Sequence, residues 1–286
     1  MNFLKKIIYT IIKIKIFRKI YYFGGTIYRG SIGIYHNLFD KIPTINSGAK
    51  KQVIGHSVQK KEITAYQPVA NEAQNKNILI VGGIHGNEVG TVKLSSHLVN
   101  HFKQGHFNKS VINLFIIPCL NPDGFSKATK NPDYFHRGKT GRLNTHNVDL
   151  NRNFPTKNFQ SKSTWRRGRE YGEYESEVFC GEFGASEPEI KSIIDFIQQK
   201  DIKYIISLHN VGKDVIINEE DKVVANIAEL FKNHGFKLRF DLNYSGGFSD
   251  WCAENSIHYL SVEIPHRWGS NRRRLVEVFE ETINNF

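Results

Sequence analysis

Two kinds of apolar pattern alternate along the chain, and together they predict its fold class. Short apolar runs, which are typical of buried β-strands, occupy residues 77–83, 111–118, 204–208 and 259–264. Apolar residues at helical spacing occupy the segments 88–102, 186–200, 219–234 and 271–283. Strands that alternate with helices predict an α/β fold, in which a single domain has a mostly parallel, mixed central sheet covered by helices on both faces.

The beginning of this pattern predicts a domain boundary. Residues 52–57 and 62–69 alternate between apolar and polar positions and predict a hairpin at the edge of the sheet. Residues 24–50 are rich in Gly, Ser, Asn and Pro, which is typical of a connecting segment. We therefore expect an N-terminal segment with its connection at 1–50 and one globular domain at 51–286.

The middle of the chain is harder to assign. The sequence Asn-Pro-Asp-Gly at 121–124 predicts a turn, because Pro fixes φ and Gly tolerates positive φ. Residues 125–185 are polar and basic with few regular periods, and so long a loop in a compact domain is usually functional. We expect Ser186 to cap the next helix, with Pro188 in its first turn and Glu189 at the capping-box position.

The net charge of +11 is concentrated near the N-terminal end. Residues 1–39 carry seven Lys and Arg and no acid, which leaves +4 for residues 40–286. A basic protein could bind nucleic acid, but an excess that lies mostly in one terminal segment predicts no nucleic-acid groove in the main domain. Three cysteines are too few for a disulfide framework, and Cys119 and Cys252 are predicted to be small core residues.

Residues 1–23 mix Ile, Phe and Tyr with lysines. Lys13 and Lys15 interrupt the apolar run 7–16, and no Ala-x-Ala follows, so the pattern does not predict a secretory signal. A membrane-spanning helix needs about 20 apolar residues, which this segment does not supply. We expect a basic helix, strand or frayed arm in a cytoplasmic protein. The alternative is weak contact of residues 1–23 with an anionic membrane surface, as an uncleaved anchor in the cell envelope.

Four side chains suited to metal-dependent hydrolysis follow or end predicted strands. His85 and Glu88 come just after the run 77–83, His209 follows the run 204–208, and Glu263 lies near the end of the run 259–264. Open α/β sheets place their chemistry at the carboxyl ends of strands. Two imidazoles and a carboxylate make a catalytic zinc site with one position open for water, and a second carboxylate can act as general base. The pattern predicts a hydrolase with one Zn²⁺ ion, although ligand type leaves other divalent metals open.

The segment 149–154, Asp-Leu-Asn-Arg-Asn-Phe, predicts a substrate contact. Asn151 and Arg152 offer an amide and a guanidinium fork that can grip a carboxylate, whereas the alternative for Arg152 is a surface ion pair. Arg142, nine residues before Asn151, is the candidate donor to an oxyanion beside the metal, and Arg137 is its rival.

Together these motifs resemble the zinc carboxypeptidase family. They are, in chain order, His85-Gly-Asn-Glu88, Asn121-Pro-Asp-Gly124, Asp149-Leu-Asn-Arg-Asn-Phe154, Ser186-Glu-Pro-Glu189, His209 and Val262-Glu263. Their order and spacing resemble the family from about residue 52 to about residue 265. The resemblance implies a zinc site with the ligands His85, Glu88 and His209.

The resemblance also implies the other roles in the site. Glu263 would be the general base, Arg142 the oxyanion partner, and Asn151 with Arg152 the clamp for a free carboxylate of the substrate. The segment 246–251 resembles the family segment that lines the specificity pocket, which implies that Ser249 lies near the pocket floor. A tyrosine often precedes that segment in the family, but the spacing of Tyr244 departs from the pattern.

Within the family, the compact chain and the short 149–155 element resemble bacterial murein-peptide amidases, which cleave the bond between γ-D-glutamate and meso-diaminopimelate. The basic segment 165–169 and Arg137, Lys139 and Arg142 would suit such an anionic murein peptide. The alternatives are a general carboxypeptidase on ordinary peptides, a deacylase resembling succinylglutamate desuccinylase or aspartoacylase, and an inactive binding module on the same fold. Asn-Pro-Asp-Gly and Ser-Glu-Pro-Glu favour a peptidase over a deacylase, and the complete set of ligands and base argues against an inactive module.

Overall fold

The computed structural model describes residues 42–45, 48–69, 76–103, 112–130, 140–167, 174–210, 212–218, 220–240, 245–265 and 272–286. The predictions for residues 1–23, Arg137, Lys139 and Tyr244 lie outside these ranges, as do those for the side chains of the basic segment 165–169. The boundary at residue 50 stays a prediction. None of the helices in the described ranges combines the length and the apolar character that crossing a bilayer requires.

The described ranges contain ten strands and six helices. The strands are β1 (Lys50–His56), β2 (Glu62–Val69), β3 (Asn77–Val81), β4 (Asn113–Ile117), β5 (Lys162–Arg167), β6 (Tyr174–Phe179), β7 (Tyr204–His209), β8 (Asp214–Ile217), β9 (Lys237–Phe240) and β10 (His258–Glu263). The helices are α1 (Val89–Lys103), α2 (Pro122–Lys130), α3 (Pro188–Gln199), α4 (Lys222–Asn233), α5 (Phe248–Glu254) and α6 (Arg272–Asn284).

Eight of the described strands form one mixed sheet in the order β1-β2-β4-β3-β7-β10-β8-β9. The four central strands β4, β3, β7 and β10 are all parallel, whereas β1, β2 and β8 join by antiparallel pairing. The parallel strands therefore end at one edge of the sheet, where open α/β folds place their sites. At that edge His209 of β7 lies directly opposite Glu263 of β10 in the register.

Alternate residues of the central strands enter two separate hydrophobic clusters, one on each face of the sheet. Ile78 and Ile80 of β3 pack in the cluster that holds the buried faces of α1, α4 and α6. Leu79 and Val81 of the same strand pack in the cluster that holds α3 and α5. Side chains on a strand point alternately to opposite faces, so an almost continuous apolar run is what a strand covered on both faces requires.

The structure confirms the predicted central strands, the edge hairpin and four helices. The hairpin is β1 paired antiparallel with β2, and it forms one edge of the sheet. The four predicted helices correspond to α1, α3, α4 and α6. Cys252 is fully buried in the cluster around α5, as predicted, whereas Cys119 is partly exposed.

The prediction of a turn at 121–124 is wrong, because Pro122 opens helix α2. Asn121 precedes that helix, and its side-chain Oδ1 accepts a hydrogen bond from the Gly124 backbone N–H at 2.8 Å. Pro is favoured in the first helical turn as well as in turns, so the same residues suit both structures. The prediction of an irregular segment 125–185 is also partly wrong, since it contains most of α2, a short 3₁₀ turn at Leu150–Arg152 and the hairpin of β5 and β6.

The prediction that Ser186 caps helix α3 is wrong by one residue. Glu187 holds the N-cap position, and Pro188 begins the helix. The hydroxyl of Ser186 instead donates to the Glu187 carboxylate at 2.8 Å. The pattern also failed to predict β8 and β9, which have four residues each and are too short for a clear periodic signal.

Candidate active site

The three predicted metal ligands converge at the carboxyl edge of the sheet. His85 follows β3, Glu88 immediately precedes α1, and His209 ends β7, the strand next to β3. The Nδ1 atom of His85 lies 3.0 Å from Glu88 Oε1, and the Nδ1 atom of His209 lies 3.2 Å from Glu88 Oε2. One ligand atom from each residue lies within 4.8 Å of the other two, and all three side chains are buried.

This donor set fits a zinc ion. Two imidazole nitrogens and one carboxylate oxygen are the ligands of many catalytic zinc sites. Zinc–ligand distances are about 2 Å, so the ligand atoms around one ion lie roughly 3–4 Å apart, which is close to the spacing found here. Among the described residues, this is the one group of His, Cys, Asp and Glu side chains with such a spacing.

The outer nitrogen of each imidazole has its own hydrogen-bond partner. His85 Nε2 lies 3.2 Å from Asp149 Oδ1, and His209 Nε2 lies 3.3 Å from Ser207 Oγ. Ser207 and Asp149 are both fully buried. Partners of this kind fix the tautomer and the ring orientation of metal-binding histidines, so both Nδ1 atoms are held towards Glu88.

The charges inside the cluster offset the cost of burying it. Burial raises the pKa of Glu88, but His85 and His209 beside it lower that pKa by more, so it lies far below its ordinary value. Burial lowers the pKa of His209, whereas Glu88 and then Glu263 raise it, with a net upward shift. Burial raises the pKa of Asp149, yet Arg142 and His85 hold it well below its usual range. Both carboxylates are therefore ionised at neutral pH, which for the proposed ligand Glu88 is the form that binds metal.

Arg142 is anchored beside the ligands by Asp149. Its Nε and Nη2 atoms donate to Asp149 Oδ2 at 3.2 and 2.9 Å. Its Nη1 atom lies 3.2 Å from His85 Nδ1 and 3.9 Å from Glu88 Oε1. The guanidinium thus has one side fixed and its other side turned towards the ligand atoms, which is the arrangement that a donor to an oxyanion needs.

Glu263 lies on the strand next to His209. The two residues are register partners across β10 and β7, and adjacent strands are about 5 Å apart. Glu263 is partly exposed, and its charge contributes to the raised pKa of His209, which is consistent with a carboxylate close to the ligand cluster. A carboxylate at this position can reach a water molecule at the metal site, so the geometry suits a general base.

The predicted carboxylate clamp lies on the 3₁₀ turn directly after Asp149. The Asn151 backbone N–H donates to Asp149 Oδ1 at 3.1 Å, and Arg152 Nη1 donates to the Asn151 carbonyl at 2.7 Å. Arg152 is 7% exposed, so the alternative of a surface ion pair is disfavoured. The charge of Arg152 also lowers the pKa of Asp149, which places the guanidinium close to the ligand cluster.

The segment 246–251 packs on this turn. Phe154 N–H donates to the Gly246 carbonyl at 3.0 Å, and the rings of Phe154 and Phe248 stack at 4.3 Å between centroids. Gly246 has φ +68°, and a Cβ atom there would lie 2.0 Å from the Arg152 carbonyl oxygen, so only glycine fits. Ser249 follows Phe248 in the first turn of α5 and is partly exposed. Its predicted place at a pocket floor stays a prediction.

Asp149 and Ser207 were not predicted to take part in the site, yet both contact a proposed ligand. Asp149 accepts hydrogen bonds from His85, Arg142 and the backbone of Asn151, and therefore links the metal ligands to the clamp. The signal for Asp149 was its place at the start of the 149–154 motif. The signal for Ser207 was weaker, since a polar residue two positions before His209 in an apolar strand has many explanations.

Replacing Ser207 by Ala should weaken zinc binding by about 10- to 100-fold, because the His209 ring loses the partner of its Nε2 atom. Ser261→Ala is the matched control, since Ser261 lies opposite Ser207 in the register and is similarly buried. Zinc dissociation constants from competition with a chromophoric chelator measure both variants. Equal affinities in the two variants would show that Ser207 does not orient the ligand.

Comparison with known proteins identifies the family. A profile described as zinc carboxypeptidase matches residues 36–223. Carboxypeptidase B2 from Rattus norvegicus is 25% identical over 248 residues, which cover 75% of this chain and 57% of the relative. Murein peptide amidase A from Escherichia coli K12 is 27% identical over 200 residues, which cover 68% of this chain and 74% of the relative. The match to carboxypeptidase Z of Rattus norvegicus covers only 28% of that protein.

Solved structures show the same fold. The crystal structure of the murein-tripeptide amidase MpaA from Escherichia coli O157 has a TM-score of 0.60 and 20% identity, and the match covers 86% of this chain and 92% of that one. Thrombin activatable fibrinolysis inhibitor has a TM-score of 0.66 and 20% identity, with 83% and 68% covered. With the family profile matching well over half of its residues, the chain belongs to the zinc carboxypeptidase family.

Proposed function

We propose that this protein is a zinc-dependent metallocarboxypeptidase that hydrolyses an amide bond next to a free carboxylate. We further propose that its substrate is a murein peptide, cleaved between γ-D-glutamate and meso-diaminopimelate. The roles of Glu263, Arg142, Asn151, Arg152 and Ser249 given below are part of this proposal.

The observation that carries the proposal is the position of Asp149 between two functional groups. One oxygen of its carboxylate contacts His85, a proposed zinc ligand, and accepts from the backbone of Asn151. The other oxygen accepts from Arg142. The proposed metal site and the proposed carboxylate clamp are therefore both built on one buried side chain, which would fix the distance between them. A hydrolase that recognises the carboxylate of the residue it releases needs such a fixed distance.

The metal would be held by His85, Glu88 and His209. Zinc bound there supplies Lewis-acid polarisation of the scissile carbonyl and lowers the pKa of water in the site. Glu263 removes a proton from the attacking water and later delivers it to the departing amine, as one carboxylate can serve as base and then as acid. Its partial exposure leaves it accessible to that water.

The arginines act on the two ends of the reacting group. Arg142 Nη1, turned towards the ligand cluster, donates to the oxygen that gains negative charge when water adds to the carbonyl. Arg152 and Asn151 hold the carboxylate of the leaving residue, because a guanidinium and an amide together match its planar geometry. Burial of Arg152 strengthens that contact, since water competes less for a buried charge.

The choice of substrate class is supported by the relatives. The chain spans 74% of murein peptide amidase A, but 57% of carboxypeptidase B2 and 28% of carboxypeptidase Z. The murein enzyme is thus matched over the largest share of its own length among these three. The two buried guanidinium groups at the site, Arg142 and Arg152, also suit a substrate that carries several carboxylates.

Product analysis by mass spectrometry tests the proposal. The zinc-loaded protein is incubated with L-Ala-γ-D-Glu-meso-diaminopimelate, with a panel of ordinary peptides and with N-acyl amino acids. We expect release of diaminopimelate, and the same preparation of the Glu263→Gln variant controls for contaminating hydrolases. If only ordinary peptides are trimmed, the protein is a general carboxypeptidase and the proposed murein substrate is wrong. Release of acyl acids alone would contradict the proposed reaction class.

A further inference from the structure

A second buried polar cluster lies behind the loop that carries Arg142 and Asp149. Asn144 is 5% exposed, and its Nδ2 atom donates to Glu187 Oε2 at 2.6 Å and to Glu189 Oε2 at 3.3 Å. Glu187 and Glu189 are themselves buried, at 4% and 0% exposure. One side-chain amide therefore links the loop to two acids at the start of α3, the N-cap residue Glu187 and Glu189 of the first turn. None of the three residues contacts a proposed metal ligand in the described hydrogen bonds.

The other side of the Asn144 amide closes the loop on itself. Its Oδ1 atom accepts from the backbone N–H groups of His146 and Val148, both at 3.0 Å. The orientation of the amide is fully determined, since both donor hydrogens point at carboxylates and the oxygen faces two N–H groups. This turn separates Arg142 from Asp149, so its shape sets how the guanidinium meets the carboxylate.

Helix α3 supplies the fixed end of the link. Glu187 is its N-cap residue and Glu189 lies in its first turn, where the helix dipole favours negative charge. The Glu187 backbone N–H also donates to Asn153 Oδ1 at 3.1 Å, which ties the end of the clamp turn to the same residue. Burial raises the pKa of Glu189, and the nearby Glu187 carboxylate acts in the same direction, so the acid pair depends on donors such as Asn144.

We propose that Asn144 and Glu187 are positioning residues that hold the loop 142–153 in the shape required by both the metal ligands and the carboxylate clamp. They act through Arg142 and Asp149 and do not touch the substrate. A displacement of about 1 Å in such a loop can cost on the order of 100-fold in rate. The kinetic part of this inference rests on the proposed function, whereas its effect on zinc affinity does not.

The test compares the single variant Asn144→Asp with the double variant that also carries Glu187→Gln. Asp has the shape of Asn but replaces the Nδ2 donor by an oxygen, which in the ionised form repels the Glu187 and Glu189 carboxylates and cannot donate to them. We expect N144D to bind zinc about 10-fold more weakly, because Asp149 no longer orients His85 well. We expect kcat to fall about 10- to 100-fold while the protein stays folded at the assay temperature.

Rescue distinguishes a positioning role from a general loss of stability. In the double variant N144D/E187Q the Gln amide can donate to the new Asp, so zinc affinity and kcat should return most of the way to the original values. Asn147→Asp is the matched control, because it makes the same change three residues away on an exposed position of the same loop. If N144D does not accumulate as folded protein, Asn144→Ala carries the same expectation for zinc affinity and kcat, since alanine removes both donor hydrogens of the amide without adding a charge.

Two readouts keep this inference separate from the proposed function. Zinc affinity is measured by chelator competition and needs no substrate, and kcat is measured on whichever substrate the product analysis identifies. Zinc affinity and kcat unchanged in N144D, or a loss that E187Q does not relieve, would overturn the positioning role. If N144D binds zinc more weakly and E187Q restores the affinity, but the protein cleaves none of the murein peptides, only the proposed substrate is contradicted.

Discussion

Replacing Glu263 by Gln should leave zinc bound and lower kcat by about 10²- to 10⁴-fold, the usual contribution of a general base. Gln keeps the size and the hydrogen-bonding shape of Glu but cannot accept the proton of the attacking water. Zinc should remain because Glu263 is not among the three clustered ligands. His209 is the register partner of Glu263, so any disturbance of the ligands by the substitution would change the zinc affinity. A variant that loses activity but keeps its zinc affinity therefore separates the role of a base from that of a ligand support.

The control for this prediction is Glu62→Gln, which makes the same chemical change on the same sheet. Glu62 begins β2, is exposed, and pairs with Lys51 at 3.3 Å on the edge hairpin away from the ligands. Steady-state kinetics and zinc content by atomic absorption are measured for both variants. A kcat that stays within a few-fold of the unmodified protein in Glu263→Gln, with full zinc content, would remove Glu263 from the proposed mechanism.

The central strands were predictable because both of their faces are buried. Ile78 and Ile80 pack in one hydrophobic cluster and Leu79 packs in the other. Because every position is buried, the strand is a continuous apolar run that is easy to recognise in the sequence. The same run also gave the position of the site, because His85 and His209 follow or end two such strands. The convergence of these residues was therefore expected before the strand order was known, on the rule that parallel strands end together.

The edge of the sheet formed by β8 and β9 was less predictable, because each of these strands has only four residues and is only partly buried. β9 has the four residues Lys237–Phe240 and little burial, so its sequence carries almost no periodic constraint. The prediction of a turn at Asn-Pro-Asp-Gly was wrong for a different reason. Pro122 suits the first turn of a helix as well as a tight turn, and the bond from Phe125 N–H to the Asn121 carbonyl, four residues back, shows that a helix forms.

The contacts between side chains in the site were the least predictable part. Asp149 and Glu187 occur in motifs that the sequence makes visible, whereas Asn144 does not, and no motif says which residue touches which. Their pairing depends on how the loop 142–153 folds against α3. That arrangement comes from long-range hydrogen bonds such as the one from Asn144 to Glu187. Local spacing cannot encode a contact between residues 43 positions apart.

Replacing Arg152 by Ala should lower kcat/KM for a substrate with a free carboxylate by roughly 30- to 5,000-fold, which corresponds to about 2–5 kcal/mol for losing one partner of a buried charge pair. A substrate whose carboxylate is blocked as an amide should lose much less, since it never made that contact. Arg152→Lys should recover part of the activity, because it keeps the charge but not the planar fork.

The comparison between the two substrates is what tests the clamp, since damage to the fold would reduce both activities together. Arg273→Ala serves as the matched control: Arg273 is an exposed arginine of α6 that pairs with Glu277 at 3.1 Å, and its removal should change neither activity. Initial rates on the free and amidated substrates give the ratio for each variant. Equal losses on both substrates in Arg152→Ala would mean that Arg152 supports the loop without binding the carboxylate, and the specificity for a terminal carboxylate would then have to come from another cation.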